Sequence, residues 1–117
     1  MRQDASHRRR FAERSVEGRD DHGELELVTI WIDRENALWR VCRAINLRER
    51  NTTERRAEDV VFEGYEMGDA LEAANEALRS DLEVSSMDGR PSQEVDEFSE
   101  QELLQPLERW FFGHAPR

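Results

Sequence analysis

The fold is decided by two neighbouring stretches, ELELVTIWID at residues 24–33 and ALWRVCRAINLRE at residues 37–49. Both are rich in β-branched and aromatic residues, which favours strands. In the first stretch, Leu25, Leu27 and Trp31 fall on one face, and Val28, Ile30 and Ile32 fall on the other. We therefore predict a central strand covered on both sides. The second stretch alternates between apolar and polar residues, which predicts a half-buried strand that pairs with the first as a hairpin.

Further strands are predicted on both sides of this hairpin. Residues 58–67, EDVVFEGYEM, have strand composition, and Gly64 among them suggests a bulge or a close backbone approach. We expect Asn36 in the left-handed turn between the two central strands and a polar loop over residues 50–57. A first strand can form at residues 9–16, and a last short one at residues 84–87.

Two helices carry clear start signals. Asp69 as N-cap, with Glu72 three residues later, predicts a helix over residues 70–82 whose buried stripe is Leu71, Ala74, Leu78 and Leu82. Ser99 and Glu102 form a second capping-box pattern, with Phe98 and Leu103 at the two hydrophobic staple positions. Pro106 predicts that this second helix kinks or restarts.

These elements together predict the α+β class, with an antiparallel sheet of three to four strands, a packed helix and a kinked C-terminal helix. We divide the chain into a basic, partly flexible N-terminal arm at 1–23 that can supply the first strand, an α+β core at 24–90, and an acidic linker with an aromatic helix at 91–117. Strands that are apolar on two sides need two covers. The 71–82 stripe supplies one, and we expect another element to supply the second.

Composition places the protein among soluble chains with a modest core. Of the 117 residues 38% are charged, all 17 basic residues are arginine, and the net charge is −10. We relate this composition to a GC-rich genome or a salt-adapted host. No run of apolar residues is long enough to span a bilayer, and no apolar stretch follows the N-terminal charges. A lone cysteine excludes an internal disulfide, so we expect a reducing, cytoplasmic location.

The sequence contains no recognisable catalytic or metal-binding constellation. His7, His22, His114 and Cys42 are scattered, without the spacing that a metal site or a thiol enzyme requires. The glycines do not form a phosphate-binding loop. We therefore predict a protein that is not an enzyme and that uses no metal and no cofactor.

An arginine cluster suggests one binding function. Seven arginines against three acids lie within residues 34–56. Arginines on a sheet beside aromatic rings can hold single-stranded nucleic acid through phosphate contacts and stacking. The candidate contacts are Arg40, Arg48, Arg50, Arg55 and Arg56. The order of strands followed by a helix resembles that of Whirly-like and PUR-like single-strand binders, although the net charge of −10 repels phosphate.

The aromatic C-terminal helix suggests another function. It either packs over the sheet face of Leu25, Leu27 and Trp31 or docks on another chain, because exposed rings are unfavourable. The candidate interface residues are Trp31, Leu107, Trp110, Phe111 and Phe112. Our leading hypothesis is a non-enzymatic, self-associating interaction module, a homodimer or a complex with a protein partner. The alternatives are the single-strand binder and an acidic inhibitor that mimics DNA.

Overall fold

The structure, a computed structural model, describes residues 9–19, 25–49, 52–87 and 94–112. Side chains are described throughout these ranges except at residues 9, 19, 47–49, 52–57, 87 and 108–112. The elements are β1 (Arg9–Arg19), β2 (Leu25–Glu35), β3 (Leu38–Glu49), β4 (Thr52–Gly64), α1 (Met67–Met87) and α2 (Glu100–Phe112). The four strands form one antiparallel sheet in the order β1-β2-β3-β4. This arrangement confirms the predicted α+β class.

A two-residue turn joins β2 to β3. Asn36 and Ala37 both have positive φ, 52° and 70°, and the strands pair on either side of them through Glu35 and Leu38. Positive φ at both central residues is the backbone of the hairpin turn whose twist matches that of the flanking strands. The left-handed position predicted for Asn36 is confirmed, and it sets the register of the whole central hairpin.

One face of the sheet is covered by α1. Ala70, Ala74 and Leu78 lie in one buried cluster with Ile30 and Ile32 of β2. The small alanine side chains let the backbone of α1 approach the sheet closely, and the Leu78 side chain fills the space between the helix and the sheet. Of the predicted stripe, Ala74 and Leu78 are buried, and Leu71 and Leu82 are half-buried against the same cluster. We call this side of the sheet the helix-covered face.

An ion pair between β3 and α1 fixes the helix on the sheet. Arg43 Nε donates to Asp81 Oδ2 at 2.9 Å, and Arg43 Nη2 donates to Asp81 Oδ1 at 2.7 Å. The hydrogen bond to Asp81 raises the pKa of Arg43 above its ordinary value, against the opposing effect of burial. A bidentate contact of this kind fixes the relative orientation of the two side chains as well as the distance between them.

The helix α2 lies on the same face as α1. Phe98 and Leu103 belong to the buried cluster that contains Ile30 and Leu78, and α2 packs beside β1. Of the two predicted alternatives for this helix, packing over the opposite, Trp31-bearing face is therefore wrong, and docking on another chain stays a prediction. The residues just before α2 are attached to α1, because Asn75 both donates to the Phe98 carbonyl at 3.0 Å and accepts from the Phe98 N–H at 2.7 Å.

The start signals of the two helices have different outcomes. The capping box of α2 is confirmed: the Ser99 N–H donates to Glu102 Oε1 at 2.9 Å, and the Glu102 N–H donates to Ser99 Oγ at 3.4 Å. In α1, the Ala70 N–H donates to the Glu66 carbonyl at 3.2 Å, so the helix begins at Met67. Asp69 therefore lies in the first turn and is not the N-cap. There its charge still favours the helix dipole.

Further parts of the elements differ from the predictions. The prediction of a polar loop over residues 50–57 is wrong from residue 52 onward. The strand β4 begins there, and its pairing with β3 extends to the pair formed by Glu49 and Thr52. The strand expected at 84–87 is the last turn of α1, where Ser85 is buried and its Oγ donates to the Glu17 carbonyl at 2.8 Å. The helix α2 continues through Pro106, so of the predicted kink or restart the restart is wrong, and the kink stays a prediction.

Candidate functional site

The sheet face opposite the helices carries a row of alternating charges. Arg10, Asp33, Arg40 and Glu63 are successive cross-strand partners from β1 to β4. We call this side of the sheet the Trp31 face. Asp33 is only 2% exposed, and the two residues beside it in register are arginines. Opposite charges on neighbouring strands stabilise the sheet, so the row has a structural role.

Trp31 lies directly beside this row and is already buried within the chain. It is 6% exposed and clusters with Cys42 and Ala44 of β3. The Arg10 guanidinium carbon lies 3.9 Å from the centroid of the Trp31 ring, and Trp31 Nε1 donates to Asp33 Oδ2 at 3.2 Å. A ring stacked under a guanidinium and bonded at its nitrogen has little surface left for another molecule.

The predicted nucleic-acid residues are largely outside the described side chains. Arg40 is described: it is 11% exposed, with Nε 3.5 Å from Glu63 Oε2 and Nη1 3.9 Å from Glu35 Oε1. The backbones of Arg48, Arg55 and Arg56 lie in β3 and β4, but their side chains lie outside the described part, as does Arg50 entirely. The structure therefore shows one of the five engaged with the protein's own acids.

Side chains are described for two of the five predicted interface residues. Leu107 is half-buried and packs against the buried cluster of the helix-covered face, and Trp31 is buried on the other side. Trp110, Phe111 and Phe112 lie in the last turn of α2, and their side chains lie outside the described part. The structure does not bring Trp31 and Leu107 together.

Arg14 has a positioning role that the sequence analysis missed. Its Nε donates to the Asp96 carbonyl at 2.8 Å, and its Nη2 donates to Glu102 Oε1 at 2.7 Å and to the Glu97 carbonyl at 3.2 Å. These bonds join β1 to the start of α2 across more than 80 residues of sequence. Because nothing local marks such a pairing, no sequence signal could have identified it.

The two outer strands of the sheet are β1 and β4, and each pairs with a described strand on one side only. On β1, Arg14 donates to the carbonyls of Asp96 and Glu97, which lie ahead of α2. At the other edge, β4 pairs with β3 on one side, and no described element pairs with its outer side. We call residues 58–66, which include the end of this strand, the β4 edge.

The β4 edge exposes apolar side chains. Val60 is 47% exposed, Val61 is 44% exposed and Tyr65 is 74% exposed. Val41 pairs with Phe62 and Cys42 pairs with Val60, so Val61 is the extra residue of a bulge. Four acids, and no base, lie among these apolar residues. They are Glu58, Asp59, Glu63 and Glu66.

Other kinds of site find little support in the described part of the chain. No group of three or more His, Cys, Asp or Glu residues that could hold a metal ion occurs there. No helix in the described ranges is long and apolar enough to cross a membrane. Comparison with family models, with curated proteins and with solved structures found no match. Function must therefore be inferred from the residues themselves.

Proposed function

We propose that the chain is a small, non-enzymatic protein-interaction module that binds an extended segment of a partner polypeptide along the β4 edge. The observation that carries this proposal is the exposure of Val60, Val61 and Tyr65 at the outer strand of the sheet. An extended segment that pairs with such an edge gains main-chain hydrogen bonds and covers the exposed side chains.

The β4 edge supports binding better than the Trp31 face does. On that face the largest apolar side chain, Trp31, is 6% exposed, so a partner would gain little by covering it. At the β4 edge, by contrast, two half-exposed valines and a largely exposed tyrosine remain available. Since the favourable free energy of association comes mainly from apolar surface removed from water, the edge is the stronger candidate.

The edge also has the features of one that does not pair indiscriminately. Natural sheets protect exposed edges with bulges and charged side chains. The bulge at Val61 and the acids around it provide both. Apolar residues that stay exposed within such a protected edge indicate a surface that binds selected partners.

The test is a selection from a displayed library of random ten-residue peptides. We expect the selected peptides to share a two-residue apolar alternation, as a strand requires. Hydrogen exchange measured with a selected peptide should show slower exchange at backbone amides of residues 58–64. Protection confined to α1, to α2 or to the Trp31 face would contradict the proposal.

Matched variants separate edge binding from general adhesiveness. Val60→Ser with Val61→Ser removes apolar surface from the edge, and we expect the peptide to bind about tenfold more weakly. Val84→Ser makes the same chemical change at a residue of α1 that is 57% exposed, and should leave binding unchanged. Equal losses in both variants would show that the peptide does not recognise the edge.

Self-association, as predicted from the sequence, stays a prediction. A homodimer would be seen by sedimentation equilibrium at tens of micromolar. If it forms through the β4 edge, the Val60→Ser and Val61→Ser variant dissociates it and the Val84→Ser variant does not.

A further inference from the structure

We propose that the segment bound at the β4 edge is β4 of a second copy of the chain, paired antiparallel about a two-fold axis at Ala57. This inference rests on the proposed function and names the partner of that site. It is carried by the order of charges along β4, where arginines precede Ala57 and acids follow it.

The charges of β4 complement their own reverse order. Arg55 and Arg56 stand directly before Ala57, and Glu58 and Asp59 stand directly after it, all within the described backbone of the strand. When two copies pair antiparallel with Ala57 opposite Ala57, Arg56 comes opposite Glu58, and Arg55 comes opposite Asp59. The two-fold axis repeats both contacts, because such an interface is self-complementary. Unlike charges that face each other across two strands stabilise the pair.

Symmetry leaves few alternatives to this register. A two-fold axis perpendicular to a pair of antiparallel strands sets one residue opposite its own copy. An axis at Arg56, Glu58 or Asp59 therefore opposes two like charges directly, which destabilises the pair. An axis at Val60 opposes no two charged residues within β4. Ala57 is the centre at which unlike charges meet and like charges do not.

The acids beside Ala57 lie on both faces of the sheet. Glu58 pairs in register with Ala44 on the Trp31 face, and Asp59 pairs with Arg43 on the helix-covered face. The register of β4 with β3 shifts by one residue at Arg56, so the two bases do not follow a strict alternation of faces. Arginine side chains are long enough to reach an acid at a diagonal position as well as one directly opposite.

Some acids of β4 already interact within their own chain. Arg40 Nε lies 3.5 Å from Glu63 Oε2, and Glu58 also has a partner there. Glu58 and Asp59 are nevertheless exposed, and an ionised carboxylate has two oxygens that together accept from several donors. A base from a second copy can therefore join these contacts without displacing the partners within the chain.

Pairing of the two strands also covers apolar surface and joins two sheets. Val60 and Val61, which are 47% and 44% exposed, lie within the stretch that the opposing strand covers. The axis continues the two four-stranded sheets into one, with the helices of both copies on the same side. The outward main-chain groups of each β4 then bond to those of the other copy.

Sedimentation equilibrium of the full chain tests the inference, and we expect a dimer at tens of micromolar. Arg55→Glu with Arg56→Glu turns every unlike pair of this register into a like pair, so the dissociation constant should rise at least about tenfold. Glu58→Arg with Asp59→Arg should weaken the dimer to a similar extent, because bases then face bases. Hydrogen exchange at residues 58–64 should be slower in the dimer than in either variant.

A mixture of the two variants provides the decisive comparison. Every opposed pair is unlike again in the mixed dimer, so the mixture should associate although neither variant does so alone. The variant with all four substitutions should dimerise as the unaltered protein does, which gives an independent result if one of the paired variants does not fold. Glu72→Arg with Glu76→Arg makes the same change in net charge as Glu58→Arg with Asp59→Arg, on exposed positions of α1, and should not weaken the dimer.

The outcomes separate this inference from the function on which it rests. A protein that stays monomeric overturns the inference, and the proposed function stands if a selected peptide still slows exchange at residues 58–64. A dimer that neither variant weakens, or that the mixture does not restore, shows that the copies meet elsewhere or in another register, and likewise overturns it. If neither a second copy nor any selected peptide slows exchange at residues 58–64, the proposed function fails as well.

Discussion

At the scale of single residues, Glu102 shows how one carboxylate can join three parts of the chain. Its Oε1 accepts from Arg14 Nη2 at 2.7 Å and from the Ser99 N–H at 2.9 Å. Burial raises the pKa of this carboxyl, but the hydrogen bonds from Arg14 and Ser99 outweigh it and lower the pKa below its ordinary value of 4.5. The ionised form is therefore the one that the folded protein stabilises.

This lowered pKa predicts a pH-dependent contribution to stability. The contribution of Glu102 is fully present above about pH 4.5 and is lost as the pH falls through the lower, folded-state pKa. We expect Glu102→Gln to be less stable than the unaltered protein at about pH 6, and the difference to shrink below about pH 4.5. Urea unfolding across this range measures it.

The control for this prediction lies in the same helical turn. Glu100 is exposed in the first turn of α2, so Glu100→Gln removes only the interaction of its charge with the helix dipole and should cost less stability at about pH 6 than Glu102→Gln does. A difference between Glu102→Gln and the unaltered protein that grows as the pH falls would show that the stabilising form is not the carboxylate.

Residues such as these also show where prediction from sequence ends. The Ser99 and Glu102 pattern was predicted because both partners lie within one helical turn. The Arg14 contact joins the same carboxylate from β1, and the Arg10 contact with Trp31 likewise depends on strand pairing. A helix cap can be recognised in the sequence because its two residues lie within one turn. A contact between residues far apart in the sequence forms only when the sheet brings them together.

At the scale of elements, the β2–β3 turn contains a residue poorly suited to its backbone. Ala37 has a φ of 70°, a region that costs a residue with a Cβ about 1–2 kcal/mol. We expect Ala37→Gly to stabilise the protein by roughly 0.5–1 kcal/mol, after allowing for the greater freedom of glycine in the unfolded chain. Ala37→Val should have the opposite effect, and urea unfolding of both variants checks the sign. Stabilisation by valine would contradict the assigned turn.

Two glycines predict effects of opposite sign. A Cβ on Gly64 would lie 2.7 Å from Cζ of Phe62, so Gly64→Ala forces the ring to move and should cost about 1–3 kcal/mol. A Cβ on Gly68, in the first turn of α1, would meet nothing within 4 Å. Gly68→Ala should therefore stabilise the helix by roughly 0.5–1 kcal/mol. Thermal unfolding of the two variants checks both, and equal effects would contradict the packing of Phe62 over Gly64.

Element types were predicted better than their ends. Alternation in β2 and β3, and the stripe of α1, are periodic over many residues and identify the elements directly. The start of β4 and the end of α1 depend on other parts of the chain. Residues 52–57 form a strand because β3 offers a partner, and residues 84–87 are helical with Ser85 bonded to Glu17 of β1.

At the scale of the whole molecule, the two faces of the sheet are stabilised by different means. Sequence alternation predicted that β2 would be apolar on both faces, and that a separate element would cover each. Instead both helices lie on one face, while Trp31 on the other is covered in part by Arg10 from the neighbouring strand. The alternation pattern does not show that an arginine on a neighbouring strand can cover an aromatic ring with the flat face of its guanidinium group.

The placement of charge over the molecule also bears on nucleic-acid binding. The described side chains of Arg10, Arg14, Arg40, Arg43 and Arg79 are each ion-paired with an acid of the same chain. A carboxylate that already contacts a guanidinium repels a phosphate that approaches the same group. The pairing of Arg40, which is the predicted contact among these five, and the net charge of −10 both argue against the single-strand binder.

A salt titration therefore gives a prediction for the whole molecule. We expect a fluorescent oligothymidine of about 15 nucleotides to bind weakly at about 20 mM salt, with little dependence of the logarithm of affinity on the logarithm of salt concentration. A protein that neutralises several phosphates would show a slope of several units, because each neutralised phosphate releases counterions. The matched variant Arg48→Gln with Arg55→Gln should change nothing. A steep slope that this variant reduces would reverse the conclusion, since Arg48 and Arg55 would then contribute to phosphate binding.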